Sequence, residues 1–467
     1  MVPAPLQQQT VNGDALSLAA QVRAGDVSWR ELADEYLERA RHDPFNAFTH
    51  VVDEPEPPRD EGGPFYGVPI AIKDLNDAAG LPTTYSCKAY AHNVAQVDAA
   101  VVRNIKDAGF VILGKTNTPE LGTIAQTESE LNGACVNPWN SARTPGGSSG
   151  GAAAAVAGGL LPIAHGSDGG GSIRIPASCC GLVGIKPSRG RVSPAPYVSG
   201  SLGLGTSGPI ARTVRDAAAL LDVMRGYEPG DFYVAPVPPR SYLDECDEPA
   251  GELRIAVATT PPVDVPVDPE CVAAVRSAAE LLTELGHDVV DATPPWSIPE
   301  MIVEFIRVWQ VGPATAGIDD LSLLEPINRA LAEQARETAS PEYGKAIMQL
   351  QTITRRVVAF WDEYDVVITP TLAMLPVPIG WTWEDTDGDP LVAFSRQTLF
   401  TPYTALVNVT GQPAMSLPLH MSESGLPVGV QLIARPFDEA TLVRLAAQLE
   451  EARPWARRFP DAAVGKA

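Results

Sequence analysis

The 467-residue sequence predicts an α/β fold in which helices cover a central mixed, mainly parallel sheet. The main observation is that short β-branched runs alternate with alanine-rich helical patterns from Val68 onward. The second is the composition, because 45% of the residues are hydrophobic and can form a large core. Large α/β proteins often keep one core over such a length, so we expect one large compact unit.

The N-terminal segment is predicted to be helical. An apolar pattern over residues 15–22 is closed by Gly25, and Ser28 with Glu31 three residues later is typical of a helix start. A loop rich in Pro, Glu and Asp follows over residues 53–63. The loop is the first plausible boundary along the chain.

After this loop, strand-like and helical patterns alternate to the C-terminus. The strand-like runs cover residues 70–72, 110–113, 161–164, 253–257, 366–369, 405–409, 414–417 and 428–433. The helical patterns cover residues 99–108, 152–157, 213–225, a stretch after Asp268, and 439–451. We therefore expect an α/β layer structure without internal repeats.

Three parts of the chain follow from these patterns. Residues 1–60 are predicted to form an N-terminal helical arm, and residues 61–467 a single compact unit. Within that unit, residues 300–364 form a mostly helical insert, in which Ser340-Pro341-Glu342 is a clear helix start. We expect the insert to cover one side of the sheet.

Charge and cysteine content disfavour several classes of function. The net charge of −23 would repel phosphate backbones and anionic lipid headgroups, which disfavours nucleic acids and membrane surfaces as partners. The six cysteines form no CxxC pair and show no metal-ligand spacing, so we expect reduced thiols and no metal site. The first ten residues lack a basic start and an apolar stretch, and a cytoplasmic location is therefore expected.

A lysine and two glycine-rich runs carry the chemical signal. Lys73 ends an apolar strand-like run, where burial would lower its pKa and make it a base near neutral pH. Ser148 lies in Gly-Gly-Ser-Ser-Gly-Gly, and Ser172 follows Asp-Gly-Gly-Gly. Glycines without side chains allow several N–H groups to converge on one carbonyl oxygen. The candidates for such an oxyanion hole are Gly169, Gly170, Gly171 and Ser172.

Other motifs are weaker. Gly203, Gly205 and Gly208 have GxGxxG spacing, but Pro209 follows at once and no clear strand precedes them, so dinucleotide binding lacks its context. The first glycine run is not followed by a lysine as in a P-loop. His165 lies near Ser172 in sequence, and without a GxSxG setting we expect it on a buried strand rather than in a triad.

The segments around these residues, VPIAIKD, TPGGSSGG and DGGGSIRIPASCCGLVGIKP, strongly resemble the amidase signature enzymes. The resemblance extends from about Ser28 to the C-terminal helix through GKTNTPE, GPIARTVRDAA and GLPVGVQLIA. It implies an α/β/α layered fold and amide hydrolysis without cofactor or metal. It further implies that Ser172 is the nucleophile, Ser148 a middle serine preceded by a cis peptide, and Lys73 the general base.

Three further residues are expected to support this triad. Ser149 would hydrogen-bond the glycine turn or Asp168, while Asp168 and Arg174 would anchor the loop that carries the nucleophile. The substrate pocket is expected to involve residues 197–208, Trp309 in the helical insert, and the segment with Trp381 and Trp383. These tryptophans could equally staple a surface loop to the body.

The resemblance leaves the substrate open. The sequence is most similar to bacterial general amidases and nylon-oligomer enzymes, and the expected partner is a small-molecule amide. The alternatives are a carbamate hydrolase, a glutamine amidotransferase A-type subunit that supplies ammonia to a tRNA-linked partner, and a fold that only binds a ligand. The acidic chain fits a tRNA-adjacent surface poorly, and an activated serine has no use in a binding module. A homodimer is compatible with the sequence.

Overall fold

The computed structural model describes residues 13–198 and 201–463, so the expectation for the first ten residues lies outside the described residues. The strands in the described residues are β1 (Phe48–Val51), β2 (Pro69–Lys73), β3 (Val111–Thr116), β4 (Ile163–Asp168), β5 (Val183–Lys186), β6 (Thr206–Ala211), β7 (Arg254–Val257), β8 (Asp288–Asp291), β9 (Val366–Pro370), β10 (Ala414–Met421) and β11 (Pro427–Ala434). They form a three-stranded sheet, in the order β1-β3-β2, and an eight-stranded sheet, in the order β4-β6-β5-β10-β11-β9-β7-β8.

The large sheet is mixed, as predicted, but it is not mainly parallel. Only β7 pairs in parallel with its neighbours β8 and β9. The other five pairings, from β4 with β6 to β11 with β9, are antiparallel. The α/β class is confirmed, whereas the parallel character was wrong because β-branched runs do not reveal strand direction.

Helices surround both sheets. Their bounds are Ala15–Ala24, Trp29–Arg41, Ala100–Asp107, Gly150–Ala157, Arg174–Cys180, Val214–Met224, Tyr242–Glu245, Pro269–Glu284, Pro299–Trp309, Val311–Ala314, Pro326–Glu337, Ser340–Val358, Pro390–Phe400, Ala405–Thr410 and Glu439–Ala452. Short 3₁₀ turns cover Lys88–Tyr90, Glu120–Gly122, Ser201–Gly203, Leu321–Leu323, Ala359–Asp362 and Trp381–Trp383.

Local sequence signals explain several helix ends. The side chain of Ser28 accepts the Glu31 N–H at 3.2 Å, and the Glu31 carboxylate accepts the Ser28 N–H at 2.9 Å. This reciprocal pair satisfies two N–H groups that a helix start leaves unpaired. The predicted start at Ser28 is therefore present in the structure.

One predicted strand is a helix. Residues 405–409 form the Ala405–Thr410 helix, which ends at Gly411 with φ of 74°. The run Ala-Leu-Val-Asn-Val is short and apolar, so its periodicity cannot distinguish a buried strand from a buried helix. Gly411 adopts the left-handed conformation that commonly closes a helix.

The main hydrophobic core lies between the sheets and their helices. It contains Leu18 and Leu32 from the N-terminal helices together with Ile72, Val183 and Val430 from both sheets. Segment 1–60 also contributes β1, which pairs with β3 in the small sheet. The division of the chain at residue 60 therefore stays a prediction, and the segment contains a strand as well as helices.

A second core cluster lies under the helical insert. Met301, Phe305 and Leu350 pack there with Val367 and Ile433 from the large sheet. The insert thus covers one face of that sheet. The two sheets meet where β2 lies against β4, and the predicted catalytic residues come from this region.

Candidate active site

Lys73 is the last residue of β2, and its side chain is fully buried. Its Nζ lies 2.7 Å from the Ser148 Oγ and 3.2 Å from the carbonyl oxygen of Ser167. Burial lowers the pKa of Lys73 from 10.5 to about 7, although the nearby Asp168 carboxylate opposes this shift. A neutral amine there can donate to the Ser167 carbonyl and accept the proton of the Ser148 hydroxyl.

Ser148 lies on the turn before the Gly150–Ala157 helix, and its side chain is buried. The peptide bond between Gly147 and Ser148 is cis. Ser149 donates its hydroxyl to the Ser167 carbonyl at 3.1 Å and its N–H to the Ser172 carbonyl at 3.2 Å. Ser149 thus connects the first glycine run to β4 and to the second run, and it bonds these backbone groups rather than the Asp168 side chain.

Ser172 lies on the loop between β4 and the Arg174–Cys180 helix, with 7% of its surface exposed. Ser148 and Ser172 line the same cavity, whose volume is about 390 Å³. The hydroxyls of Ser148 and Ser172, both described residues, form no hydrogen bond with each other. Catalytic hydrogen bonds are often long in the absence of substrate and shorten when it binds.

The loop that carries Ser172 is held by a buried ion pair. Arg174 Nη2 lies 2.9 Å from Asp168 Oδ1, and both side chains are fully buried. Burial alone would raise the pKa of Asp168, but the Arg174 guanidinium holds it well below its usual range. The carboxylate also accepts the N–H groups of Gly171 at 2.7 Å and Ile173 at 3.1 Å. Asp168 and Arg174 therefore fix the backbone of this loop.

This arrangement corrects one predicted oxyanion donor. The Gly171 N–H donates to Asp168 Oδ1, so it is not free to bind a carbonyl oxygen. The N–H groups of Gly169, Gly170 and Ser172 have no acceptor within the described residues. The sequence could not reveal the difference, because it depends on where the Asp168 carboxylate turns.

Two of the remaining donors have a fixed direction. In a trans peptide the carbonyl and the following N–H point to opposite sides. The Asp168 carbonyl accepts from Asn408 Nδ2 at 3.0 Å, so the Gly169 N–H points away from Asn408. The Gly171 carbonyl accepts the Ile175 N–H at 2.7 Å, which orients the Ser172 N–H in the same manner. Donors that are oriented before substrate binds are what an oxyanion hole needs.

Asn408 and Thr404 are functional candidates that the sequence analysis missed. Asn408 is buried, donates to Asp168, and accepts from Arg174 Nη2 at 2.6 Å. Thr404 Oγ1 donates to the Gly170 carbonyl at 2.7 Å. Both lie more than 230 residues after the loop that they hold, in or beside the segment predicted as a strand. No local signal in the sequence connects them to it.

His165 is on the buried strand β4, as expected. Its Nδ1 accepts the backbone N–H of Lys73 at 3.3 Å, and its Nε2 lies 3.2 Å from the Ser207 Oγ. Burial lowers the pKa of His165 to about 3, and the nearby Lys73 contributes to this shift. A neutral imidazole whose Nδ1 accepts a hydrogen bond carries its proton on Nε2. His165 thus holds the backbone of Lys73 where the two sheets meet.

The 390 Å³ cavity has two neighbours. A larger cavity of about 720 Å³ shares part of its lining, namely Leu75, Tyr85, Leu121, Ser167, Gly205 and Ala316. A smaller cavity of about 80 Å³ shares Thr123, Ser172 and Trp309. Ser172 therefore lies at the boundary between a small cavity and a larger connected space.

The predicted pocket residues divide into two groups. Trp309 lines both cavities next to Ser172, and Leu204 and Gly205 of the 197–208 loop line the 390 Å³ cavity. Trp381 instead packs edge-on against Phe400, and Trp383 is 39% exposed. Neither lines a cavity that contains Ser172, so the expectation that this segment forms the pocket is corrected. Residues 199 and 200 of the loop lie outside the described residues.

Two further observations concern the described residues as a whole. Within residues 13–198 and 201–463, no three His, Cys, Asp or Glu side chains are grouped so that they could hold a metal ion. In the same part of the chain, no helix is both long enough and apolar enough to cross a membrane. The six cysteines are free thiols, and burial raises the pKa of Cys271 to about 12.

Comparisons with known proteins find relatives that match most of the chain. The family described as Amidase matches residues 47–443. The 6-aminohexanoate-cyclic-dimer hydrolase of Pseudomonas sp. (strain NK87) is 39% identical over 96% of this chain and 96% of its own length. The acylamidase of Rhodococcus erythropolis is 35% identical, also over 96% of each chain.

Solved structures give the same result. A 6-aminohexanoate cyclic dimer hydrolase complexed with substrate superposes with a TM-score of 0.91, at 38% identity, over 97% of this chain and 99% of that chain. A bacterial aryl acylamidase superposes with a TM-score of 0.84, at 26% identity, over 98% of this chain and 99% of that chain.

Proposed function

Since the chain belongs to the amidase signature family and is a hydrolase of carbon–nitrogen bonds, we propose that it cleaves carboxylic amides through Ser172, Ser148 and Lys73. The observation that carries the proposal is the 2.7 Å contact between Lys73 Nζ and Ser148 Oγ. This contact is buried, and burial lowers the pKa of Lys73 to about 7. A serine hydroxyl needs such a base to become nucleophilic.

The reaction begins when neutral Lys73 takes the proton of Ser148. Ser148 in turn takes the proton of Ser172 as the Ser172 oxygen attacks the amide carbonyl carbon. The carbonyl oxygen becomes an oxyanion, which the N–H groups of Gly169, Gly170 and Ser172 stabilise. Removal of one such donor typically costs about 10²–10³ in kcat.

The tetrahedral intermediate then loses its amine. The C–N bond breaks, and the proton passes from Lys73 through Ser148 to the departing nitrogen. The acyl group remains as an ester of Ser172. Water enters the site and gives its proton to the same relay as its oxygen attacks the ester carbonyl. The bond to Ser172 Oγ then breaks, the relay returns the proton to that oxygen, and the carboxylic acid leaves. Asp168 and Arg174 take no part in proton transfer and keep the nucleophile loop in place.

The experiment that tests the triad is covalent labelling with a fluorophosphonate probe. The wild type should be labelled at Ser172, and Ser172→Ala should not be labelled. Ser141→Ala is the matched control, because Ser141 is exposed and lines neither cavity beside the nucleophile. Labelling that persists in Ser172→Ala, or a wild type that is not labelled, would contradict the proposal.

For the substrate we propose only a class, small amides. The relative from Pseudomonas is named for hydrolysis of a cyclic oligoamide, which supports small amides as substrates of this chain. A screen of small amides, anilides, carbamates and cyclic oligoamides, with detection of the released amine, separates amide from carbamate hydrolysis. Glutaminase activity that arises only with partner subunits would favour the amidotransferase alternative.

The cytoplasmic location and assembly as a homodimer remain proposals from the sequence. Light scattering on the purified protein tests the second.

A further inference from the structure

The nucleophile lies between two cavities of different character. Ser172 and Trp309 line both the 80 Å³ cavity and the 390 Å³ cavity. Ser148 lines only the larger of the two. An amide that reacts with Ser172 therefore has one space available on the side of the proton relay and a second space on the other side.

The small cavity is apolar. Its walls include Met301, Phe305, Trp309 and Phe394, and no charged residue of the described chain lines it. Two of the polar side chains in the wall, Gln397 and Thr401, are already hydrogen-bonded within the protein. Gln397 Nε2 donates to Thr382 Oγ1 at 3.2 Å, and Thr401 Oγ1 donates to the Gln397 carbonyl at 3.1 Å. A charged group placed there would lose its hydration without gaining a counter-charge.

Trp309 separates the two spaces directly beside the oxyanion donors. A Cβ atom built on Gly169 would come within 3.0 Å of the Trp309 ring, and one built on Gly170 within 3.8 Å. Phe305 stacks on that ring, with 5.3 Å between the ring centres, and its own ring would lie 3.6 Å from a Cβ built on Gly170. The first carbons that leave a carbonyl bound at these N–H groups must therefore pass along Trp309.

Proton transfer decides which part of the substrate enters which cavity. The departing nitrogen must receive its proton from Ser148, so it lies on the side of the 390 Å³ cavity. The acyl carbon is then bonded to Ser172, and its chain lies on the other side. We propose that the apolar cavity holds the acyl group, that Trp309 sets the permitted acyl length, and that the substrates are amides of short, uncharged carboxylic acids. The proposal rests on the function proposed above.

The volumes set the expected preference. The apolar cavity of 80 Å³ is about half the roughly 150 Å³ that hold a benzene ring, so acyl groups of about two to four carbons fit it. The amine part faces 390 Å³, which continues into 720 Å³. We expect tight selection on the acyl side and wide tolerance on the amine side. Each methylene that still fits should raise kcat/KM about fourfold.

Two matched substrate series test this assignment. The first is p-nitroanilides of linear acids from acetic to decanoic acid, and the second is propionamides of linear amines from methylamine to octylamine. In the wild type, kcat/KM should peak at propionyl or butyryl and fall at least tenfold by octanoyl. The amine series should vary by less than about fivefold.

Three variants show which of the two cavities holds the acyl group. Trp309→Ala should move the acyl optimum to longer chains and raise the octanoyl-to-propionyl ratio of kcat/KM at least tenfold. Ala405→Leu narrows only the apolar cavity, because Ala405 lines that cavity alone, and it should lower the butyryl-to-acetyl ratio. Trp383→Ala is the control, since Trp383 lines neither cavity, and its profile should match the wild type.

Two outcomes would overturn the inference. One is that Trp309→Ala or Ala405→Leu changes the amine series and leaves the acyl series as it was, which reverses the assignment. The other is a wild type that prefers octanoyl or charged acyl groups. Both differ from failure of the proposed function, in which turnover of every substrate would be equal in the wild type and Ser172→Ala.

Discussion

Replacement of Lys73 by methionine should abolish activity and, at low pH, stabilise the protein. The side chain is fully buried, and burial lowers its pKa from 10.5 to about 7. Because one pKa unit is worth about 1.36 kcal/mol, burial of the charged form costs roughly 5 kcal/mol. Methionine has a similar length and no charge, so this cost disappears in Lys73→Met.

The pH dependence has a definite sign. Below pH 7 the lysine is protonated in both the folded and the unfolded protein, so the folded state carries the whole cost. Between pH 7 and 10.5 the folded protein releases its proton first, and the cost declines to zero. The contribution of Lys73 therefore makes the wild type more stable as the pH rises from 7 to 10.5. In Lys73→Met this pH dependence is absent.

Lost contacts reduce the net gain. Lys73→Met removes the hydrogen bonds to Ser148 and Ser167, each worth about 1 kcal/mol. The variant should thus be more stable by about 3 kcal/mol at pH 6 and by about 1 kcal/mol at pH 8, with a reversal of sign near pH 9. For a chain of 467 residues, the entropy of unfolding is roughly 1 kcal/mol per kelvin, so Tm should rise by about 3 °C at pH 6.

Scanning calorimetry at pH 6, 8 and 9.5 measures this difference. Ser172→Ala is the control, because it is expected to be inactive while keeping the buried lysine, and its Tm should follow that of the wild type at each pH. In the wild type, kcat/KM should rise about tenfold per pH unit below pH 7 and level off above it. A Tm difference between Lys73→Met and wild type that is independent of pH would refute the reasoning, as would a Tm below that of the wild type at pH 6.

Four further substitutions, at three positions, test the groups around the proposed triad. Asp168→Asn leaves the buried guanidinium of Arg174 without its counter-charge, so we expect a loss of about 3–5 kcal/mol and a fall in Tm; an unchanged Tm would show that the pair is not needed. Asn408→Ala removes the donor that orients the first oxyanion N–H, and kcat should fall about 10- to 100-fold with KM nearly constant; a change in KM alone would argue against orientation. His165→Phe removes the acceptor of the Lys73 N–H, and kcat/KM should fall about tenfold, whereas His165→Gln, which retains an acceptor, should recover part of it. Steady-state kinetics with one p-nitroanilide measures the effects of the substitutions at Asn408 and His165.

The sequence singles out the candidate catalytic residues because their signals are local. Lys73 ends an apolar strand, and Ser148 and Ser172 lie in glycine-rich turns, so residue type and immediate neighbours suffice to single them out. The family resemblance then assigned their roles. The same holds for the helix that starts after Ser28, since a capping box is complete within four residues.

Other parts of the site depend on contacts between distant segments. Asn408 and Thr404 hold the loop of Ser172 from a stretch whose apolar run was interpreted as a strand. The antiparallel direction of most strand pairings in the large sheet was missed for a related reason. The direction of a strand depends on how the chain places it beside its neighbours, and not on the residues of the strand itself. Trp381 was expected near the substrate, and the structure buries it against Phe400 instead.

The place where β2 meets β4 has a consequence for how such a catalyst can change over time. The Lys73 amine belongs to the small sheet, whereas Ser172 and the proposed oxyanion donors lie on a loop that extends from the large one. Much of the apolar wall of the small cavity beside Ser172, including Phe305 and Trp309, comes from a third part, the helical insert. Mutations in that insert can thus alter the choice of acid without displacing the machinery, and new specificities can arise while the reaction itself stays intact.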